Sequence, residues 1–158
     1  MRHLSIRSSH LSNEHLPALQ SLTKLRSLDI AFNKKITDVD RLFHYLSSLE
    51  KLDASADGIL SLGRVPAVTL RVLNVADNPI DVGADAFVDL TALEELRLDG
   101  ARLSLDNDSL TTQQATLKTL SLRRCHFVHP PWPSIAGLSA LEKLHMSGVD
   151  STVPTVSF

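Results

Sequence analysis

The stretch Leu70 to Ile80, LRVLNVADNPI, carries apolar residues at its first, fourth, sixth and eleventh positions and asparagine at its ninth, and this pattern returns along the whole chain. Copies start at Met1, Leu25, Leu49, Leu70, Leu93, Leu117 and Leu141, in steps of 24, 24, 21, 23, 24 and 24 residues. A period of that length excludes a single globular core. Each copy is one supersecondary unit that buries its apolar side only against its two neighbours, so the chain stacks rather than collapses.

The positions of the pattern have distinct physical roles. The fourth holds leucine in every copy: Leu4, Leu28, Leu52, Leu73, Leu96, Leu120 and Leu144. The sixth is always apolar (Ile6, Ile30, Ala54, Val75, Leu98, Leu122, Met146), so the local alternation predicts a short strand with one buried face. The ninth reads Ser9, Asn33, Asp57, Asn78, Ala101, Cys125 and Val149. In the first four copies this small polar side chain is placed to satisfy backbone groups where the chain turns out of the strand. In the last three, packing must replace part of that bonding.

On these residues the chain resembles the leucine-rich repeat family over essentially its whole length. The resemblance implies an α/β solenoid: a curved, parallel sheet on the concave face, with short helices, turns and extended segments on the convex face. Subclass features are mixed, since ITD at Ile36 to Asp38 followed by VDRL resembles internalin-type and cysteine-containing repeats, whereas AFVDLTALEEL at Ala86 to Leu96 resembles the "typical" class. The expected organisation is one domain over residues 1–158, with no recognisable terminal caps.

Composition narrows the function classes. Sixteen basic residues stand against 18 acidic ones and no run of Lys or Arg exceeds two, which gives nucleic-acid binding no support. No stretch approaches the roughly 20 apolar residues of a membrane span, and the opening residues lack the apolar region of a signal peptide. Cys125 is the sole cysteine, so an internal disulfide is impossible. Together these predict an intracellular, cytoplasmic protein, against which the isolated sequon Asn107-Asp108-Ser109 weighs little. Cys125 stands at the ninth position, where a packed structural thiol is the expected role. The seven histidines show no metal-ligand spacing, and there is no phosphate loop or nucleophile elbow. No enzyme, cofactor or metal is expected.

The segments between copies differ. Ser12 or Asn13 is expected to cap a helical turn in the first copy, and Thr37 or Asp38 a short helix in the second, with Leu42, Phe43 and Leu46 inward. Gly63 and Pro66 predict an extended return in the third. Asp81 or Asp85 is placed to cap a turn in the fourth, with Phe87 and Leu90 inward. The fifth puts Gln114 where its neighbours have leucine, which predicts a looser convex side. Pro130, Pro131 and Pro133 predict no helix before about Ser134 in the sixth, and Trp132 either packs on the convex edge or stands out as an anchor.

A parallel stack displays the third, fifth, seventh and eighth positions as ladders about 4.8 Å apart between strands. Two charged regions emerge on them. Asp29, Asp53 and Asp77, with Asn74, lie over small residues (Ala31, Ser55, Ala56, Ala76); farther along stand Arg97, Arg123 and Arg124, with Asp99 able to pair with Arg123. Like charges opposite one another, as Asp29 and Asp53 are, gain from a cationic partner. Phe32 is the large apolar side chain among these positions, and it either serves as a binding hot spot or folds back over the preceding turn.

The resemblance and these ladders together predict a non-enzymatic protein-protein interaction module that binds a protein partner through its concave sheet. The alternative is a structural subunit of a large multi-protein or ribonucleoprotein assembly, contacted at its edges and ends. A weaker alternative is the substrate-recognition part of a ubiquitin ligase. Because Met1 already fills the first position and nine residues follow Val149, a neighbouring chain, self-association or further sequence is expected to cover at least one end.

Overall fold

The computed structural model describes residues 1–149. Seven short strands stack in parallel in chain order: β1 (His3–Ser5), β2 (Ser27–Asp29), β3 (Lys51–Asp53), β5 (Val72–Asn74), β7 (Glu95–Arg97), β9 (Thr119–Ser121) and β11 (Lys143–His145). Their register follows the repeat position for position, with Leu4, Leu28, Leu52, Leu73, Leu96, Leu120 and Leu144 side by side. This is the leucine-rich repeat solenoid.

The core is a ladder along the stack. Leu28 to Leu120 at the fourth position, and Leu25, Leu49, Leu70, Leu93 and Leu117 at the first, are 0–1% exposed. At the ends of the described stack burial falls: Leu144 is 39% exposed and Met1 73%, each with a neighbouring coil on one side among the described residues. The expectation that the nine closing residues leave the last coil open lies outside the described residues.

Turning out of each strand demands a left-handed backbone at the eighth position. Ser8, Phe32, Ala56, Asp77, Gly100, Arg124 and Gly148 all have φ between 53° and 81°. The ninth-position side chains then tie the turns together. Asn33 donates through Nδ2 to the carbonyls of Ile6 (3.0 Å) and Ile30 (2.5 Å), while its Oδ1 accepts from the amides of Ser9 and Leu11. Asn78 repeats the scheme on Ala54, Val75 and Ile59. In the later coils Ala101 is simply buried, and Cys125 points its Sγ at the Leu98 carbonyl. Burial pushes the Cys125 thiol up to about 11, which suits the packed structural role expected of it.

On the other side of the core a second parallel sheet forms that the sequence reading lacked. It consists of β4 (Ser61–Leu62), β6 (Asp81–Val82), β8 (Arg102–Leu103) and β10 (His126–Phe127), with Leu62, Val82, Leu103 and Phe127 inward.

Helical turns occupy the rest. Residues Asn13–Ser21 form a 3-10 helix whose Ser12 amide donates to His15 Nδ1. Helix α1 (Asp40–Tyr45) begins behind Asp38, whose Oδ1 accepts from the Asp40 amide, and it turns Leu42 and Phe43 inward as expected. Thr37 does not cap; its amide donates to Asn13 Oδ1 of the preceding coil, and its hydroxyl oxygen accepts from Asn13 Nδ2. The third coil returns without a helix.

Three expectations about these segments are corrected. Neither Asp81 nor Asp85 caps the turn Ala84–Phe87: Asp81 lies in β6, Asp85 is already in the first turn, and Gly83 holds the cap position. Helix α2 (Trp132–Ala136) starts before Ser134, because Pro133 falls in the first turn, where a missing N–H costs nothing. In the fifth coil the inward residue is Gln113 rather than Gln114. Its Nε2 donates to the Phe87 and Leu90 carbonyls, so the convex side there is closed, not loose. Trp132 is half-buried beside these turns.

The second coil carries one residue more than the pattern after Asn33, since Ile36 falls one place late. The Lys34 carbonyl bulges toward the third coil, where Gly58 gives way: a Cβ there would sit 2.4 Å from that oxygen.

Candidate protein-binding face

The second position of the repeat lines the entry edge of the large sheet. It reads Arg2, Arg26, Glu50, Arg71, Glu94, Lys118 and Glu142, alternating in sign from the second coil onward. Arg26 pairs with Glu50 at 2.5 Å, and Glu94 takes both Arg71 and Lys118, the latter at 2.9 Å. Hydrogen bonds from Lys118 and Arg71 hold the Glu94 carboxyl below the usual range. These pairs are invisible to a local reading because the partners lie 23 or 24 residues apart.

The fifth and seventh positions form the floor of the concave face. Asp29, Asp53 and Asn74 stand side by side, as the register requires. Each first serves its own backbone: the side-chain oxygen accepts from the amide two residues on, at Ala31 (3.1 Å), Ser55 (3.0 Å) and Ala76 (3.2 Å). The acids therefore cap strand ends as well as facing outward. The small residues beneath, Ala31, Ser55 and Ala76, are buried rather than displayed.

The cation that Asp29 and Asp53 call for comes from within the chain. Arg7 reaches over from the first coil, 3.4 Å from Asp29 and 3.9 Å from Asp53, and its guanidinium lies 4.6 Å from the centre of the Phe32 ring. Phe32 is thus covered by the preceding coil on one side, yet it remains 49% exposed.

The two charged regions also meet. Arg124 extends past Gly100 to pair with Asp77 at 2.7 Å, two coils away, because the intervening coil has no side chain at that position. Asp99 does not pair with the Arg123 guanidinium. Its Oδ1 accepts instead from the Arg123 amide and the Ser121 hydroxyl, while Arg123 Nη2 lies 3.3 Å from His145 Nδ1. Arg97 bonds Glu95 of its own strand.

Two shallow depressions follow. One, about 300 Å³, runs over Asp29, Asp53, Val72, Asn74 and Arg97; the other, about 130 Å³, lies between Arg97, Thr119, Ser121, Arg123 and His145. All nine residues singled out from sequence, Asp29, Phe32, Asp53, Asn74, Asp77, Arg97, Asp99, Arg123 and Arg124, lie on this one face. Arg7 and His145 belong with them and were missed, since neither stood out from the sequence without its neighbours.

Beneath the face lies a buried acid. Asp57 is 6% exposed, at the position its neighbours give to Asn33 and Asn78. Its Oδ1 accepts from the Asn33 amide at 2.6 Å and its Oδ2, where an asparagine would carry its donating nitrogen, has no partner among the described residues. Burial, reinforced by the Asp53 and Asp29 carboxylates, pushes its pKa up to about 7. Among the described residues no cluster of His, Cys, Asp or Glu is arranged to hold a metal ion, and no helix is long and apolar enough to cross a membrane.

A family model described as Leucine Rich repeat matches residues 21–41, which span the second strand and the turn around Asn33. A comparison with curated proteins finds no match.

Proposed function

We propose that this leucine-rich repeat chain, a single domain over residues 1–158, is a non-enzymatic protein-interaction module whose concave sheet binds a protein partner. The observation that carries the reading is Phe32. It holds a left-handed backbone that costs a β-carbon residue roughly 1 kcal/mol or more, where Gly100 and Gly148 avoid the strain. In return it presents a half-exposed aromatic ring at the rim of the groove. The fold demands that backbone here as it does at Ser8, Ala56, Asp77 and Arg124, but it does not demand an exposed ring, and the ring matches the usual chemistry of an interface anchor. The nine ladder residues would form the contact surface around it.

The test compares proteins captured by the intact chain with those captured by Phe32→Gly and by Arg97→Gln with Arg123→Gln. Phe32→Gly removes the ring while relieving the backbone, so loss of partner would not reflect unfolding. Asp29 and Asp53 are poor probes because they bond their own strands. Undiminished capture by both variants would sink the concave-face reading.

The exposure of Leu144 and Met1 favours a second reading, a structural subunit contacted at its ends, with another chain or further sequence covering at least one of them. Substitution of Leu144 would then weaken assembly while Phe32→Gly would not.

A further inference from the structure

The smaller depression on the concave face brings the guanidinium groups of Arg97 and Arg123 together with Asp99, Thr119, Ser121 and His145. Arg97, Ser121 and His145 stand abreast on β7, β9 and β11, so a short side chain lies between two long ones. Ser121 is 4% exposed and forms the floor, and Arg123 closes the far side. A guanidinium has no acceptor, so the 3.3 Å contact makes His145 Nδ1 the acceptor and puts the ring proton on Nε2. Arg97 spends its Nε on Glu95, and no bond among the described residues uses its two terminal nitrogens.

Charge on this face is unevenly satisfied. Arg7 lies against Asp29 and Asp53, and Arg124 against Asp77. Arg123, by contrast, faces the His145 imidazole and forms no ion pair among the described residues. Arg123 and the terminal nitrogens of Arg97 thus converge on a cavity of about 130 Å³.

We propose that this pocket receives a carboxylate side chain from an acidic, extended segment of the protein partner, an inference that rests on the concave face being the binding face. Arg123 and Arg97 supply the charge-assisted hydrogen bonds and Thr119 lines the wall. Asp99 sets the limit on the ligand's charge. It lines the same pocket, held by the Ser121 hydroxyl and the Arg123 amide, so it repels a second negative charge. A carboxylate with one charge suits this balance, whereas a phosphoryl group near −2 does not.

The experiment is an NMR titration of the full chain at low salt with a hexaglutamate peptide and, separately, hexaglutamine. Saturable shifts at Ser121, Arg123 and His145 are expected with hexaglutamate and absent with hexaglutamine. Arg123→Gln should weaken the response about ten-fold or more, as loss of a charge-assisted bond would. Lys24→Gln, which removes an equal charge from an exposed site outside the pocket, should leave it unchanged. The pocket is overturned by an absent response, by an equal response to hexaglutamine, or by equal weakening in the two variants. Tighter binding of a phosphoserine peptide than of hexaglutamate would overturn the carboxylate assignment. Should hexaglutamate fail while Phe32→Gly still loses the captured partner, the pocket falls and the concave-face reading stands.

Discussion

Coils two to four and coils five and six have the same backbone turn and hold it by different chemistry. In the first group Asn33, Asp57 and Asn78 bond across the turn to the preceding coil; in the second, Ala101 and Cys125 fill the same place with volume. The geometry is therefore a property of the stack, and the side chain only has to avoid leaving backbone groups unpaired. The two solutions differ in what disturbs them. Directed bonds fail when a donor is lost or a proton moves, and packed ones fail when volume is lost.

The largest effects should ignore the distinction. Leu73→Ala in the fourth coil and Leu96→Ala in the fifth each remove a fully enclosed leucine, at a cost of ~2 to 5 kcal/mol in denaturant melts. Leu4→Ala, at the partly exposed end, should cost clearly less. A consistent gap between the two central variants would extend the contrast from the turns into the core, and equal losses at all three would argue against a linear stack.

The turns themselves should separate. Asn78→Ala strands the Ile59 amide and the Ala54 and Val75 carbonyls, and is expected to cost roughly 2 to 4 kcal/mol. Cys125→Ala loses one sulfur and a weak bond, for about 1 kcal/mol. Equal losses would dissolve the comparison.

Asp57 sharpens it further, because only a polar turn can titrate. Its pKa is raised by folding from near 3.8 to about 7, so the folded state holds this proton more tightly than the unfolded chain does. The associated stability is complete below about pH 4 and is lost as pH rises through 7. Asp57→Asn supplies the missing donor permanently. Melts should show the variant more stable at pH 8 by roughly 1 to 3 kcal/mol, with the difference shrinking toward pH 5. A constant difference across that range would mean that Asp57 does not titrate there.

The smallest effect tests the strain at the eighth position. Ala56→Gly relieves a left-handed alanine and should gain up to about 1 kcal/mol, whereas Gly100→Ala should lose a similar amount. Melts in which Ala56→Gly destabilises would show that the third coil's turn is held by something other than its backbone.

Much of this was legible in the sequence because the leucine ladder repeats with no error: the coil boundaries, the strand register and the bonding role of Asn33 and Asn78 all follow from it. Features made between coils were not. The second sheet rests on two-residue strands whose exposed members, Ser61, Asp81, Arg102 and His126, share no chemistry. Asp29 and Asp53 were placed on the correct face, but alternation along a strand cannot reveal that each also caps its own backbone or that Arg7 lies over both. Gln113 and Gln114 are neighbours of identical type, and only the tertiary carbonyls of Phe87 and Leu90 decide which one turns inward.

The alternating charges at the second position give the stack a parity. Removing the fourth coil alone would set Glu50 beside Glu94, and removing the fifth alone would set Arg71 beside Lys118, so the loss of any single coil from the third to the sixth creates a like-charge seam. Removing both together brings Glu50 to Lys118 and restores attraction. Between the second coil and the seventh, lengthening or shortening is thus favoured in steps of two coils, and a pair of coils, rather than one, is the unit in which this part of the stack can be cut and rejoined.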